Sequence, residues 1–398
     1  MKIENNNKTT FWLSIGVVLF VSINLRAPIT AVSPILDEIK SVLHINNLQA
    51  SLLTSIPLIV FASCSILVSK AISKFNIRHS LIFSILILIV GLSLRIYGNI
   101  ELLYIGSLLL GIGICIGNVL TPAYIKELFP NKIGIMTGIF SVSMSLVAAL
   151  ASGLSISIGK WTESRWKGSL GIWIIGALIA LIIVVLESFF GKNIQSKVAK
   201  TPKNIKFNIF RSSQAWNISV FMGTQSLIYY CLVALLPTLL IDFGMSKVES
   251  GWVFSILQLA MLPAMLFSPM IASKMQNPKV MVNLTTILYC IGIILLITTK
   301  TQFIYLSAIL IGFAGGLAFS LSILFFSIRS KTIAGTIKIS GMAQSIGYLI
   351  AAFGPPIFGK LYDFDSSWSY SLYFLLLTIC IMTYFGRKAC KPKFIEEN

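Results

Sequence analysis

Apolar and polar positions fall in long blocks along this chain. Twelve mostly apolar runs lie at 11–36, 48–69, 80–98, 102–125, 133–159, 169–190, 214–241, 251–273, 281–299, 303–328, 333–359 and 369–386. A helix needs ~20 such residues to cross the hydrocarbon layer. The runs are continuous rather than alternating, which excludes β-barrel spans. The predicted fold class is all-α, a polytopic membrane protein of 12 transmembrane helices. The polar start, MKIENNNKTT, enters the first run with no small-residue cleavage site. It reads as a retained first helix rather than a signal peptide.

Composition strengthens this picture. Of 398 residues 56% are hydrophobic and 11% charged, against about a quarter charged in soluble domains. The net charge of +18 first suggests nucleic acid. Its distribution says otherwise. With the N-terminus placed inside, inner segments carry 22 Lys and Arg and outer segments 7. That bias predicts cytoplasmic N and C termini in a multi-pass protein of a bacterial cytoplasmic membrane. The longest connection, 191–213, holds six basic residues and no acidic one. Its aromatics are only Phe207 and Phe210, so lipid headgroups rather than nucleic acid are its expected partners. The predicted domains are a six-helix half at 1–190, this basic middle loop at 191–213, and a second six-helix half at 214–398.

Little else in the composition carries chemistry. The cysteines Cys64, Cys115, Cys231, Cys290, Cys380 and Cys390 have neither CxxC nor metal-ligand spacing, so no disulfide framework or metal site is expected. His44 and His79 fall in loops. No HExxH, nucleophile elbow or phosphate loop occurs, so neither an enzyme nor a cofactor is expected.

The halves repeat at an offset of about 200 residues. Pro57 matches Pro263, SKAISK from Ser69 matches ASKMQ from Ala272, LVAAL from Leu146 matches LIAAF from Leu349, and Trp166 matches Trp368. Each half has six spans, so the repeat is parallel. That arrangement resembles the major facilitator transporters, whose substrate site lies near the midplane at the interface of the halves.

Four stretches resemble one branch of that superfamily, the cyanate and nitroimidazole permease (CynX/NimT) family. They are NLRAPITAVSPIL from Asn24, GIGICIGNVLTPAYIKELFPNKIGIMTG from Gly111, WNISVFMGTQSLIYY from Trp216 and SGMAQSIGYLIAAFGPPIFG from Ser340. Together they span nearly the whole chain. The loop after span 2 departs from the superfamily pattern. KAISKFNIRH has no Asp, and Asn76 stands where Gly is usual. The resemblance implies a secondary carrier of a small solute, working by alternating access as two halves rock about the site. Spans 1, 4, 7 and 10 would line the cavity, with 5, 8 and 11 contributing.

Span 1 holds Ser22, Arg26, Thr30 and Ser33, which share one face of a continuous helix. Pro28 and Pro34 remove hydrogen bonds to the Asn24 and Thr30 carbonyls. Such carbonyls are tolerated at membrane depth where they line a cavity or meet protein. Arg26 is therefore either a ligand-binding cation or a structural one held by those carbonyls. Intramembrane charge favours the first reading. No carboxylate falls mid-span, and a planar guanidinium there suits an anionic or acceptor-rich ligand. The same absence argues against a cationic substrate.

Arg95 is a candidate second cation, with snorkelling to the outer interface as the alternative. Asn118 and Thr121 of span 4 are candidates for the cavity or for an interhelical bond. Gly113 and Gly117 in the same span form a GxxxG that permits close helix approach. Gln225 with Tyr229, and Gln344 with Tyr348, repeat an i, i+4 spacing that can bond and stack a small planar solute. Tyr230, Gln258 and Lys338 are weaker candidates. Pro355 and Pro356 are expected to bend or break span 11 near its outer end.

The expected substrate-binding set is Arg26, Thr30, Asn118, Gln225, Tyr229, Gln344 and Tyr348. The expected function is transport of a small anion or polar planar solute, cyanate- or nitroimidazole-like. The alternative is a drug or metabolite exporter of the same fold. The expected partners are that solute, the bilayer and a coupling ion, either a proton or a counter-substrate, with the chain acting as a monomer.

Overall fold

A computed structural model describes residues 2–72, 75–190, 207–365 and 367–397. The greater part of the predicted middle loop, 191–206, and Ser73 and Lys74 of the loop after span 2 lie outside the described residues. No strand occurs among the described residues. The first span is built from α1 (Lys2–Asn24), α2 (Ala27–Thr30) and α3 (Leu36–Leu43). The next five helices are α4 (Asn47–Ile72), α5 (Ile77–Arg95), α6 (Ile100–Leu128), α7 (Ile133–Trp161) and α8 (Trp166–Phe190). The remainder are α9 (Ser213–Asp242), α10 (Lys247–Ala272), α11 (Lys279–Thr299), α12 (Ile304–Ile328), α13 (Ile333–Ala352), α14 (Gly354–Asp365) and α15 (Ser369–Ala389).

Eleven of these segments are long and apolar enough to cross a membrane. The predicted run 333–359 is the exception. It is divided into α13 and α14, and the interruption falls at Phe353, just before Pro355 and Pro356. Two consecutive prolines leave two carbonyls without helical donors, which ends a helix at the preceding turn.

Helix starts follow local chemistry. Asn76, Asn99 and Ser212 cap α5, α6 and the turn into α9 by accepting the N–H of Arg78, Glu101 and Ala215. Ser246 and Glu249 form a reciprocal capping box at α10. Each cap satisfies N–H groups that have no intrahelical partner.

The chain divides into two compact units. One comprises Met1–Asn131, Ile139–Ile205 and Thr332–Gly341, the other Lys132–Gly138, Lys206–Lys331 and Met342–Asn398. In the first unit α5 packs on α6, α6 on α4, α8 on α1 and α5, and α1 on α6. In the second, α11 packs on α12, α12 on α10, α15 on α9 and α11, and α9 on α12. The two pairing schemes correspond helix for helix, as a parallel repeat requires.

Close approach in the first unit depends on glycine. A Cβ at Gly113 would lie 2.8 Å from the Ser84 carbonyl oxygen, and one at Gly106 would lie 2.6 Å from that of Gly91. The Ser84 hydroxyl donates to the Gly113 carbonyl at 2.7 Å. Small residues at such crossings are what membrane helices use in place of a hydrophobic driving force.

Beyond the spans of the second unit, Arg329 closes the chain end. It is 6% exposed and donates to the carbonyls of Ala389 at 3.2 Å, Cys390 at 2.6 Å and Gln276 at 3.0 Å. Burial lowers the Arg329 pKa and pushes the Cys390 thiol up to about 12.

Candidate substrate-binding site

The first span is interrupted where the sequence places its charge. Arg26 has φ −134° and ψ −38° and precedes the four-residue α2. Pro28 sits in the first turn of α2, where a missing N–H is tolerated. Beyond α2 the Val32 N–H donates to the Ile29 carbonyl, and the Ile35 N–H to that of Val32. This tightening to a three-residue repeat leaves the Pro28 and Ala31 carbonyls out of register with an α-helix. Other helices of the same unit reach those two carbonyls. Arg95 Nη1 of α5 donates to Pro28 at 2.9 Å, and Ser155 Oγ of α7 to Ala31 at 2.6 Å.

Further bonds hold the segment in place. Asn24 Nδ2 donates to the Phe20 carbonyl at 2.7 Å and to Gly176 of α8 at 3.1 Å. Thr30 Oγ1 donates to Ala148 of α7 at 2.9 Å. Ala27, Ala31 and Ala151 pack together against Val147 and Trp173. Backbone at membrane depth needs such internal satisfaction.

The interruption changes several expectations. The predicted polar face of span 1 assumes one continuous helix. Ser22 is instead fully buried, donating to Leu19 at 2.7 Å, and Ser33 is exposed. Arg26 is half-buried. Arg95 does not snorkel outward. It is 1% exposed and turned to Pro28, because the broken segment offers a carbonyl inside the unit. Among the described residues its Nε has no hydrogen-bond partner. Asn118 of α6 is half-buried, and its main-chain carbonyl accepts from Ser340 of the same unit at 3.4 Å. Thr121 is spent on the Gly117 carbonyl at 2.7 Å.

In the second unit, Gln225 is 2% exposed and donates to Ser226 at 2.7 Å. Gln258 of α10 donates to the Tyr229 hydroxyl at 3.3 Å. The Tyr229 and Tyr230 rings meet edge-on with centroids 5.5 Å apart. The structure thus joins Tyr229 to Gln258, from another helix, as well as to its chain neighbour. Gln344 is buried and Tyr348 half-buried, one turn apart on α13. Helices α9 and α13 approach closely at Gly223 and Gly347, where a Cβ on Gly223 would lie 3.2 Å from the Gly347 Cα.

Sequence reasoning missed one charged group in the first unit. Glu187 of α8 is fully buried and accepts from Arg78 Nε at 2.8 Å and Nη2 at 2.9 Å. Ser14 of α1 adds a bond at 3.3 Å. By position Arg78 precedes the predicted run 80–98 and Glu187 stands near the end of the run 169–190, which suggests boundary charges. The signal was present in VVLESFF, an acid with apolar residues on both sides. Among the described residues no group of His, Cys, Asp and Glu could hold a metal ion.

Comparison with known proteins decides the family. The Major Facilitator Superfamily pattern matches residues 17–355. The chain belongs to the major facilitator superfamily. It is 33% identical to the uncharacterized transporter YycB of Bacillus subtilis (strain 168), over 99% of this chain and 97% of that one. It is 31% identical to the 2-nitroimidazole transporter of Escherichia coli (strain K12), over 96% of both. The cyanate transport protein CynX of the same organism is 26% identical over 87% of this chain and 88% of its own. These relatives agree with the branch that the sequence stretches resemble. The solved fold of the proton:xylose symporter XylE superposes with a TM-score of 0.78 at 14% identity, covering 98% of both chains. This facilitator-fold protein is a multi-pass membrane transporter rather than an enzyme.

Proposed function

We propose that this transporter carries a small anion or an acceptor-rich planar solute by alternating access, and that Arg26 binds it. The carrying observation is the half-buried Arg26 at the interruption between α1 and α2, in a span with no mid-span carboxylate. A planar guanidinium on irregular backbone offers several fixed donors at membrane depth, where charge and acceptor groups interact strongly. Irregular backbone inside a span marks binding segments in other transporters. Thr30 and Asn118 complete the group in the first unit, with Arg95 holding the Pro28 carbonyl behind it. The amides and phenols of Gln225, Tyr229, Gln344 and Tyr348 supply donors, acceptors and stacking surface from the second. Two relatives named for 2-nitroimidazole and cyanate support a compact, acceptor-rich solute. The termini face the cytoplasm in this reading, with inner segments carrying the Lys and Arg excess.

The test is uptake into proteoliposomes against a panel of cyanate, nitrite, small organic acids and 2-nitroimidazole, with and without a pH gradient. Uptake of at least one of these solutes is expected, with loss on Arg26→Ala. Wild-type transport by Arg26→Ala would refute the arginine assignment.

A further inference from the structure

The second unit carries a basic cavity that the transport reading does not use. Its volume is about 490 Å³, and it lies between α11 and α15. Four cations line it: Lys279 at the start of α11, Arg387 and Lys388 in the last turn of α15, and Lys391 just beyond. Among the described residues its lining holds no acidic side chain. Lys388 is directed onto Tyr384, with Nζ 4.1 Å from the ring centroid and within hydrogen-bond reach of the hydroxyl.

The cations occupy one end only. Thr286 and Cys380 also line the cavity, each seven residues further into its span than Lys279 and Arg387 respectively. At 1.5 Å per residue that is about 10 Å deeper. Thr286 and Thr383 share a hydrogen bond at 2.7 Å, which joins the two helices across the floor. Val280, Ile287, Leu377 and Ile381, on the same two helices and one to three positions from lining residues in sequence, are exposed. In a bilayer those side chains meet acyl chains. The cavity therefore has charged groups at the height of the membrane surface and a slot reaching into hydrocarbon, open to the side.

We propose that this cavity binds an anionic phospholipid from the leaflet at the C-terminal end of α15. The phosphate meets Lys279, Arg387, Lys388 and Lys391, and an acyl chain runs down past Thr286 and Cys380. Basic pockets between membrane helices are suited to such headgroups, and each Lys or Arg near the surface adds to the attraction. Free inorganic phosphate satisfies the cations and leaves the deeper slot unfilled, which favours the lipid. The contrast with a second cavity in the first unit is instructive. That one, about 460 Å³, is lined by Val68, Phe75, Phe83 and Ile116, and among the described residues that line it His79 is the one ionisable group. The proposal does not depend on the identity of the transported solute.

The test uses the delipidated full chain in a neutral detergent, titrated separately with phosphatidylglycerol, with phosphatidylcholine of the same acyl chains, and with inorganic phosphate. Thermal unfolding and native mass spectrometry report binding, since a ligand of the folded state raises its stability by mass action. Phosphatidylglycerol is expected to bind and raise the unfolding temperature, and the other two to do neither. The double variant R387Q/K388Q is expected to bind it about thirtyfold more weakly. Cys380→Trp keeps the cations, fills the slot, and is expected to abolish lipid binding. Lys247→Gln, an exposed lysine outside the cavity, is expected to bind as wild type does. Equal response to phosphatidylcholine overturns the headgroup assignment. Equal response to inorganic phosphate marks a free-anion site and overturns the lipid assignment. Wild-type phosphatidylglycerol binding by both cavity variants overturns the site itself. Should R387Q/K388Q fail to fold, Lys279→Gln and Cys380→Trp carry the same decision.

Discussion

The first span and α9 hold the same place in the two repeats, yet only one of them is broken. Pro34 and Pro237 stand 203 residues apart, and so do Arg26 and Tyr229. Helix α9 runs unbroken for 30 residues with Pro237 inside it. One proline there withholds a donor from the Val233 carbonyl, which a membrane helix accommodates by small local adjustment. Span 1 has a second proline, Pro28, six residues before Pro34, and an arginine at the break. The span divides into α1, α2, a three-residue turn and α3, whereas α10 runs unbroken through Pro263 and Pro269, also six residues apart, so two prolines alone do not break a span. The division frees carbonyls, and Arg95 and Ser155 take them. The repeat supplies a common frame, and in one copy of it the donors of α5 and α7 meet the carbonyls that the broken segment frees. In the proposed function that irregular copy presents the charge and the regular copy presents amides and phenols.

Substitutions at paired positions sharpen this contrast. Arg26→Ala is expected to lower the transport rate about a hundredfold or more, as loss of a desolvated charged partner does, read as initial uptake into proteoliposomes. Folding should be retained, since α2 is held by other residues. Arg95→Leu removes the donor to Pro28 and is expected to cost about 1–3 kcal/mol locally. Hydrogen exchange should then quicken over Leu25–Val32 and stay unchanged over the corresponding stretch of α9. Ser155→Ala leaves the Ala31 carbonyl without its donor at a cost of about 1 kcal/mol, measured as a lower unfolding temperature in detergent. Tyr229→Phe, the repeat counterpart of the arginine change, removes the acceptor of Gln258. It is expected to raise KM about threefold, a loss under about 1 kcal/mol. Equal losses from Arg26→Ala and Tyr229→Phe would break the assigned division of roles.

Much of the fold was legible in the sequence. Spans are read from long apolar runs because lipid offers the backbone no partner except itself. The break near Pro355 and Pro356 was legible for the same reason as any proline effect, since it acts on the carbonyl four residues back. The close approach at Gly113 followed from spacing alone. The candidate site was less legible. The face shared by Ser22, Arg26, Thr30 and Ser33 requires helical turns running through all four residues, and the break after Asn24 removes them. Arg95 reads equally as a second cavity cation or an interfacial anchor because its position three residues from a predicted span end says nothing of a carbonyl waiting 67 residues earlier in the chain. Arg78 and Glu187 read as unrelated boundary charges because their pairing joins α5 and α8 across 109 residues.

The sequence by itself determined the number and order of the spans, their parallel repeat, the branch of transporters they resemble and the presence of a charge at membrane depth. These rest on local hydropathy, on proline and glycine, and on motif spacing, all of which act within a few turns. Only the tertiary structure decided which carbonyls the broken span releases, which buried donors reach them, and that four basic residues, three on two helices and one just beyond, line one cavity. Those outcomes depend on residues brought together by helix packing across tens to hundreds of positions, and no local pattern records which distant side chain arrives.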